Sequence, residues 1–234
     1  MNCNKALVLF SGGQDSTTCL AWALENFLEV ETIGFFYGQR HAVELEARTI
    51  ILQRFKEMFP CWNGKIGPDR VLSLDLLAEI GGTALTEEVA IEIGKKGLPT
   101  SFVPARNILF LSAAASLGMR RGISDLVGGM CETDYSGYPD CRSETIAALE
   151  KTLTLGLAEP IKLHMPLMHL DKAATWRLAE TLGGATLLDL ILEETVTCYL
   201  GDRTKRHPWG FGCGTCPACE IRSAGHASFL GAAR

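Results

Sequence analysis

No stretch of this sequence approaches the roughly 18 consecutive apolar residues that cross a bilayer as a helix. The opening residues Met1-Asn2-Cys3-Asn4-Lys5 also lack the apolar core of a secretion signal. No membrane association is expected, and the expected setting is the cytoplasm. Basic charge is short as well: 22 Lys and Arg face 27 Asp and Glu, a net charge of −5, which argues against a broad basic surface that holds nucleic acid. A small-molecule substrate, with no direct nucleic-acid partner, is the expectation instead. Internal repeats and low-complexity linkers are missing too. What is there is a chain of 234 residues, 47% of them hydrophobic, long enough for one substantial α/β domain with a small appendage. Nine cysteines are many for a reducing compartment, and an odd number cannot all pair, so metal binding or catalysis is expected of some of them.

The most informative stretch is Phe10-Ser11-Gly12-Gly13-Gln14-Asp15-Ser16, between the apolar run Lys5–Phe10 and a helix-like segment, Thr17–Asn26. A short apolar run ending in Ser-Gly-Gly reads as a buried parallel strand that turns sharply into a helix. Glycines there permit positive φ and bring backbone N–H groups close to a ligand, while the helix directs its positive end at the same spot. Such a turn cradles an anion. Ser11 and Ser16 add hydroxyls, and Asp15 makes sense beside a phosphate if a divalent cation accompanies it. Gly-Gly at a strand–helix junction is often only a turn, but the full string in this context points to a nucleotide's phosphates. The Lys of the GxxxxGK[ST] loop is absent, so kinase or GTPase machinery is not indicated. The string resembles the SGGxDS pyrophosphatase loop of the N-type ATP pyrophosphatases, which implies cleavage of ATP between its α and β phosphates.

In chain order, Val30–Tyr37 reads as a second strand, His41–Phe59 as a long amphipathic helix, and Val71–Leu74 as a third strand. Alternating strands and helices predict a doubly wound, mostly parallel α/β sheet, with ligands at the carboxyl ends of its strands. Gly81–Pro104 reads as a loop over the site. Ala105-Arg106-Asn107 opens a buried helix, Ile108–Arg121, followed by a strand at Asp125–Met130. Helices are expected at Ser143–Leu157 and at Lys172–Leu182, the latter capped by Asp171, with an extended piece at Ile161–His164 between them. The expected division is an α/β domain over residues 1–190 and a small helical metal-binding segment over 191–234.

Cys198, Cys213, Cys216 and Cys219 have the short CxxCxxC spacing, with a glycine, that wraps thiolates around a tetrahedral ion. Four sulfurs favour zinc, with an iron–sulfur cluster as the alternative, and a closed set of protein ligands predicts a structural site. Cys3, Cys61 and Cys131 read as buried packing, and Trp22 and Trp176 as core. Arg40 and Arg106 sit at strand or loop ends, where cations neutralise charge on a leaving pyrophosphate; His41 and Glu44 follow Arg40 on the same turn. Asp134, Tyr135, Tyr138, Asp140 and Arg142 form a polar, aromatic segment. In it Asp140 would accept from a guanine-like N–H pair, a tyrosine would stack and Arg142 would hold a carboxylate; a plain surface turn is the alternative.

Taken together, Ser11–Cys19 (SGGQDSTTC), Tyr37–His41 (YGQRH), Val103–Asn107 (VPARN), Glu132–Arg142 (ETDYSGYPDCR) and the terminal cysteines resemble the 7-cyano-7-deazaguanine synthase (preQ0 synthase) family of queuosine biosynthesis, in order and over nearly the whole chain. The resemblance implies an adenine nucleotide alpha hydrolase-like fold and a ligase that forms C–N bonds. In that reaction 7-carboxy-7-deazaguanine is activated by ATP, captured by ammonia as an amide and dehydrated to the nitrile with further ATP. It implies an ATP-binding loop at Phe10, Ser11, Gly12, Gly13, Gln14, Asp15, Ser16, Thr17, Thr18, Cys19 and Leu20, with Mg2+, one structural Zn2+ per chain and a homodimer. Asp15, Ser16, Arg40 and Arg106 are then the expected catalytic residues. Two departures stand out: the interval between Cys198 and Cys213 is longer than the family's pattern, and Ala105 stands where glycine is common. A tRNA thiolase of the same ATP class is disfavoured by the acidic balance, and a zinc-ribbon binding module by the intact Asp15 and Ser16.

Overall fold

The computed structural model describes residues 4–39, 43–81, 98, 100–133 and 138–232. Its centre is β1 (Lys5–Leu9), whose residues face two cores alternately: Ala6, Val8 and Phe10 enter one, and Leu7 and Leu9 the other. A strand buried on both faces has no polar side to alternate with, which is why Lys5–Leu9 reads as a continuous apolar run. Parallel strands flank it on both sides, β2 (Glu29–Phe36) and β4 (Asp125–Val127), with β3 (Ile66–Ser73) and β5 (Lys162–His164) at the edges, in the order β3-β2-β1-β4-β5. The expected doubly wound sheet is therefore present.

On one face α1 (Gln14–Asn26), α2 (Val43–Met58) and α7 (Lys172–Glu194) bury Leu20, Ile51, Phe55, Trp176 and Ile191. On the other, α5 (Arg106–Arg121) and α6 (Ser143–Leu157) bury Leu111, Ile146 and Leu149. Each side chain of this kind contributes about 1.5–3 kcal/mol when fully buried. Short helices α3 (Pro60–Asn63) and α4 (Asp75–Ile80) flank β3. The chain ends with a two-residue-per-strand hairpin, β6 (Arg206–His207) and β7 (Gly210–Phe211), and α8 (Pro217–Ala232), which packs on α7 through Phe229. Among the described residues no helix is long and apolar enough to cross a membrane.

Strand β4 stops at Val127, short of the expected Met130, and three further expectations change. Strand β3 starts at Ile66, not at Val71, because an edge strand need not be apolar; it accommodates Pro68 and places Asp69 to accept from Thr32 Oγ1 at 2.6 Å and from the buried guanidinium of Arg48. Helix α7 continues past Leu182 to Glu194, broken at Gly184, whose φ of 61° and ψ of −157° suit only glycine. Cys61, expected inside, is exposed, because in the single turn of α3 it is Trp62 that enters the core. Asp171 caps α7 as expected, accepting from the Ala174 N–H at 2.6 Å. Most of the stretch expected to form a loop over the site, 82–97 and 99, lies outside the described residues.

Candidate active site and metal centre

Beyond β1 the chain turns at Gly12, which has φ +91° and would bring any Cβ to 2.7 Å from the Glu44 carbonyl oxygen. Two independent constraints thus demand glycine there. Gly13 occupies the N-cap of α1 and supplies no side-chain cap to the first-turn N–H groups. The N–H groups of Ser11 and Gly12 both donate to Ser16 Oγ at 3.2 Å, and the Ser16 hydroxyl donates to the Gly13 carbonyl at 3.1 Å. Backbone donors therefore converge on one oxygen at a helix N-terminus, the arrangement that suits a phosphate. The Gln14 side chain is 2% exposed, and neither of its amide atoms has a hydrogen-bond partner among the described residues. Thr17, Thr18, Cys19 and Leu20 are turned inward: Thr17 and Thr18 hydroxyls bond the preceding turn, Cys19 Sγ approaches the Gly128 carbonyl, and Leu20 joins the core.

A cavity of about 340 Å³ opens beside this loop, where the strand order reverses at β1. Phe10, Ser11, Gly13, Gln14, Asp15 and Ser16 line it, opposite Tyr37, Glu44, Arg106, Phe110 and Tyr138. The Arg106 guanidinium lies beside the Tyr37 and Tyr138 rings, 6.0 and 5.9 Å from their centroids, with its buried Nε unpartnered among the described residues. Burial acts to lower its pKa, but Tyr37, Tyr138, Tyr199 and Asp140 raise it above the ordinary arginine value, so the cation is fixed. Burial likewise pushes the Glu44 carboxyl up to about 7 against the pull of Arg106. Tyr138 is held by Ser101, hydroxyl to hydroxyl, at 2.7 Å.

Asp140 and Arg142 lie apart from this group. Asp140 does not line the cavity; its Oδ2 accepts from the Asn107 N–H at 2.9 Å and so anchors the start of α5, while its buried Oδ1 has no partner among the described residues. Arg142 is exposed at the N-cap of α6. Arg40, His41, Asp134 and Tyr135 lie outside the described residues. Asp15, expected to face a divalent cation, is bonded by Lys172 Nζ at 2.8 and 3.0 Å. Lys172 also lines the cavity, and sequence reasoning passed over it as a helix start. The available signal was electrostatic: a lysine in the first turn opposes the helix dipole, so its presence needs a reason.

The four expected cysteines do converge, with all Sγ atoms within 4.8 Å of one another. Four thiolates about 2.3 Å from one tetrahedral ion lie roughly 3.8 Å apart, so the set fits a single metal ion. The Cys213 and Cys219 sulfurs are 3.9 Å apart. Backbone N–H groups of Thr215 and Cys216 point at Cys213 Sγ from 3.4 and 3.3 Å, as donors do toward thiolates. Hydrogen bonds from Cys216 and Cys219 hold the Cys198 thiol well below its ordinary pKa. The long Cys198–Cys213 interval contains the β6–β7 hairpin, which returns the chain to its starting point.

The family model described as queuosine biosynthesis protein QueC matches residues 5–230. Proteins named 7-cyano-7-deazaguanine synthase from Leptothrix cholodnii and Bradyrhizobium sp. are 62% and 60% identical over 226 and 225 residues, covering 97% and 96% of this chain and 96% and 94% of theirs. One from Rhodopseudomonas palustris is 62% identical over 220 residues, 94% of this chain and 93% of its own. Among solved structures, a 4-thiouridine synthetase in complex with RNA and bound ATP is similar at a TM-score of 0.54 and 16% identity, over 97% of this chain and 53% of that one. That likeness bears on the fold alone and agrees with the doubly wound sheet. Because the family model runs from the first strand into the last helix, and relatives are 60–62% identical along the same span, this chain belongs to the QueC family of queuosine biosynthesis proteins.

Proposed function

We propose that the chain is a 7-cyano-7-deazaguanine synthase, converting 7-carboxy-7-deazaguanine and ammonia to the nitrile at the cost of ATP cleaved to AMP and pyrophosphate. The observation that carries this reading is the presence in one cavity of a backbone anion cradle, Ser11–Ser16, and a permanently charged arginine, Arg106, beside two tyrosines. The loop amides hold phosphate oxygens in place of Ser16 Oγ. A substrate carboxylate oxygen attacks the α-phosphorus, and Arg106 stabilises negative charge as the pyrophosphate bond breaks. Ammonia then attacks the activated carbonyl carbon and AMP leaves. In the second round the amide oxygen is adenylated, and departure of AMP with loss of the nitrogen's protons leaves the C≡N bond. Tyr37, Tyr138 and Phe110 offer flat faces for a purine-like ring.

Asp15 is the loop carboxylate that would hold a magnesium ion arriving with the nucleotide, which supplies further charge neutralisation; Lys172, now on Asp15, is a second cation within the cavity. We further infer that the cysteine site holds zinc in a structural role. Its sulfurs are too close together for a four-iron cluster, in which each sulfur binds a different iron, and protein fills all four positions of a tetrahedral ion. A cytoplasmic homodimer completes the reading, and sedimentation velocity showing only monomer removes that part of it. The reaction is tested by mass spectrometry of products: with ATP, ammonia and 7-carboxy-7-deazaguanine the nitrile is expected. Absence of nitrile with ATP turnover on another acceptor overturns the substrate assignment.

A further inference from the structure

The segment that leads into the cysteine site also braces the anion loop. Val196 donates its N–H to the Gly12 carbonyl at 3.1 Å, and Thr197 Oγ1 lies 3.5 Å from the backbone nitrogen of Gln14, the first residue of α1. The next residue is Cys198, one of the four sulfur ligands. Thr197 is in turn held by Arg222, which is 0% exposed and donates from Nη1 to Thr197 Oγ1 at 2.9 Å. The same guanidinium donates from Nε to the Trp209 carbonyl at 2.8 Å and from Nη2 to the Ile191 carbonyl at 2.9 Å. Trp209 belongs to the hairpin that closes the cysteine site, and Arg222 lies one turn beyond Cys219 on α8. One buried cation thus joins the metal-site hairpin, the end of α7 and the residue that touches the loop.

We propose that Arg222 and Thr197 are positioning residues through which metal loading of the cysteine site sets the geometry of the nucleotide loop. Losing the ion frees Cys198 and the hairpin; Thr197 and Val196 then no longer fix Gln14 and Gly12. Linkage makes the effect reciprocal: whatever factor metal loading adds to nucleotide affinity, nucleotide adds to metal affinity. The inference rests on the loop's proposed nucleotide role.

The test uses the full chain with magnesium and α,β-methylene-ATP, titrated by calorimetry before and after metal removal with a chelator, with circular dichroism to follow the fold. Thr197→Val keeps the shape and removes the hydroxyl; Thr197→Ser restores it. The expected result is analogue binding about three- to tenfold weaker in Thr197→Val at full metal content, the scale of one hydrogen bond, with native-like binding in Thr197→Ser. Chelation weakens binding by the native chain, and this factor shrinks in Thr197→Val. Equal affinity in native and Thr197→Val chains, or a chelation factor unchanged by the substitution, overturns the coupling while leaving the nucleotide role intact. Failure of the metal-loaded native chain to bind the analogue overturns both.

Discussion

Arg106 is the side chain whose surroundings say most about its task. A guanidinium is planar and weakly hydrated, which suits a buried place within about 6 Å of two tyrosine rings, whereas an ammonium is a strongly hydrated point charge. Arg106→Lys is therefore expected to lower kcat by about 10²-fold or more with modest change in nucleotide affinity, the cost seen when one charge-stabilising group is lost from a transition state; steady-state kinetics check it, and an unchanged kcat removes the arginine from the chemistry. Glu44 supplies a pH signature. Its folded-state pKa of about 7 stands above the ordinary 4.5, so the folded chain holds this proton more tightly than the unfolded chain does, and stability falls as pH rises through that window. Glu44→Gln should flatten the urea-denaturation midpoint between pH 4.5 and about 7. A slope identical to the native chain's contradicts the burial argument. At this scale the sequence was legible where a residue's role is set by its neighbours in the chain, as at Gly12 and Ser16. It was not legible for Lys172, whose partner Asp15 is 157 residues away, nor for Asp140, which anchors a helix start across a gap of 33 residues.

Elements followed the same logic. Strand β1 and helix α6 were readable because burial leaves a pattern: a continuous apolar run for a strand covered on both faces, and an apolar stripe for a helix covered on one. The edge strand β3 carries no such pattern, and α7 looks finished at Gly183-Gly184 although the chain resumes helix after the break. Helix α5 gives a backbone reason for the departure noted at Ala105, where the resembling family commonly has glycine. Ala105, at its N-cap, has φ 59° and ψ 14°, a left-handed conformation that costs an L-residue roughly 1–2 kcal/mol and glycine little. Ala105→Gly should stabilise the chain by about 0.5–1 kcal/mol, after the larger unfolded-state entropy of glycine is subtracted. The expected rise in Tm is about 1–4 °C, read by calorimetry, and a fall in Tm contradicts the assigned backbone conformation.

For the molecule as a whole, the two layers of helices fix the sheet, the sheet's reversal at β1 opens the cavity, and the segment leading into the cysteine site touches the cavity's loop through Val196 and Thr197. The cysteine spacing made the four-sulfur cluster legible, but not the neighbouring contact with the loop, which joins residues 183 positions apart. Cys216→Ala should release the ion and destabilise the chain, because the free energy of binding a structural metal is part of the folding free energy, with metal content and denaturant unfolding as the readouts; a fully stable, metal-free variant contradicts a structural centre. The central claim concerns which phosphate bond the cavity breaks. Phosphorus NMR of ATP turnover, with ammonia present and with or without 7-carboxy-7-deazaguanine, reads it directly. The account predicts AMP and pyrophosphate, formed only when the carboxylate substrate is present; ADP and inorganic phosphate, or products indifferent to that substrate, would contradict it.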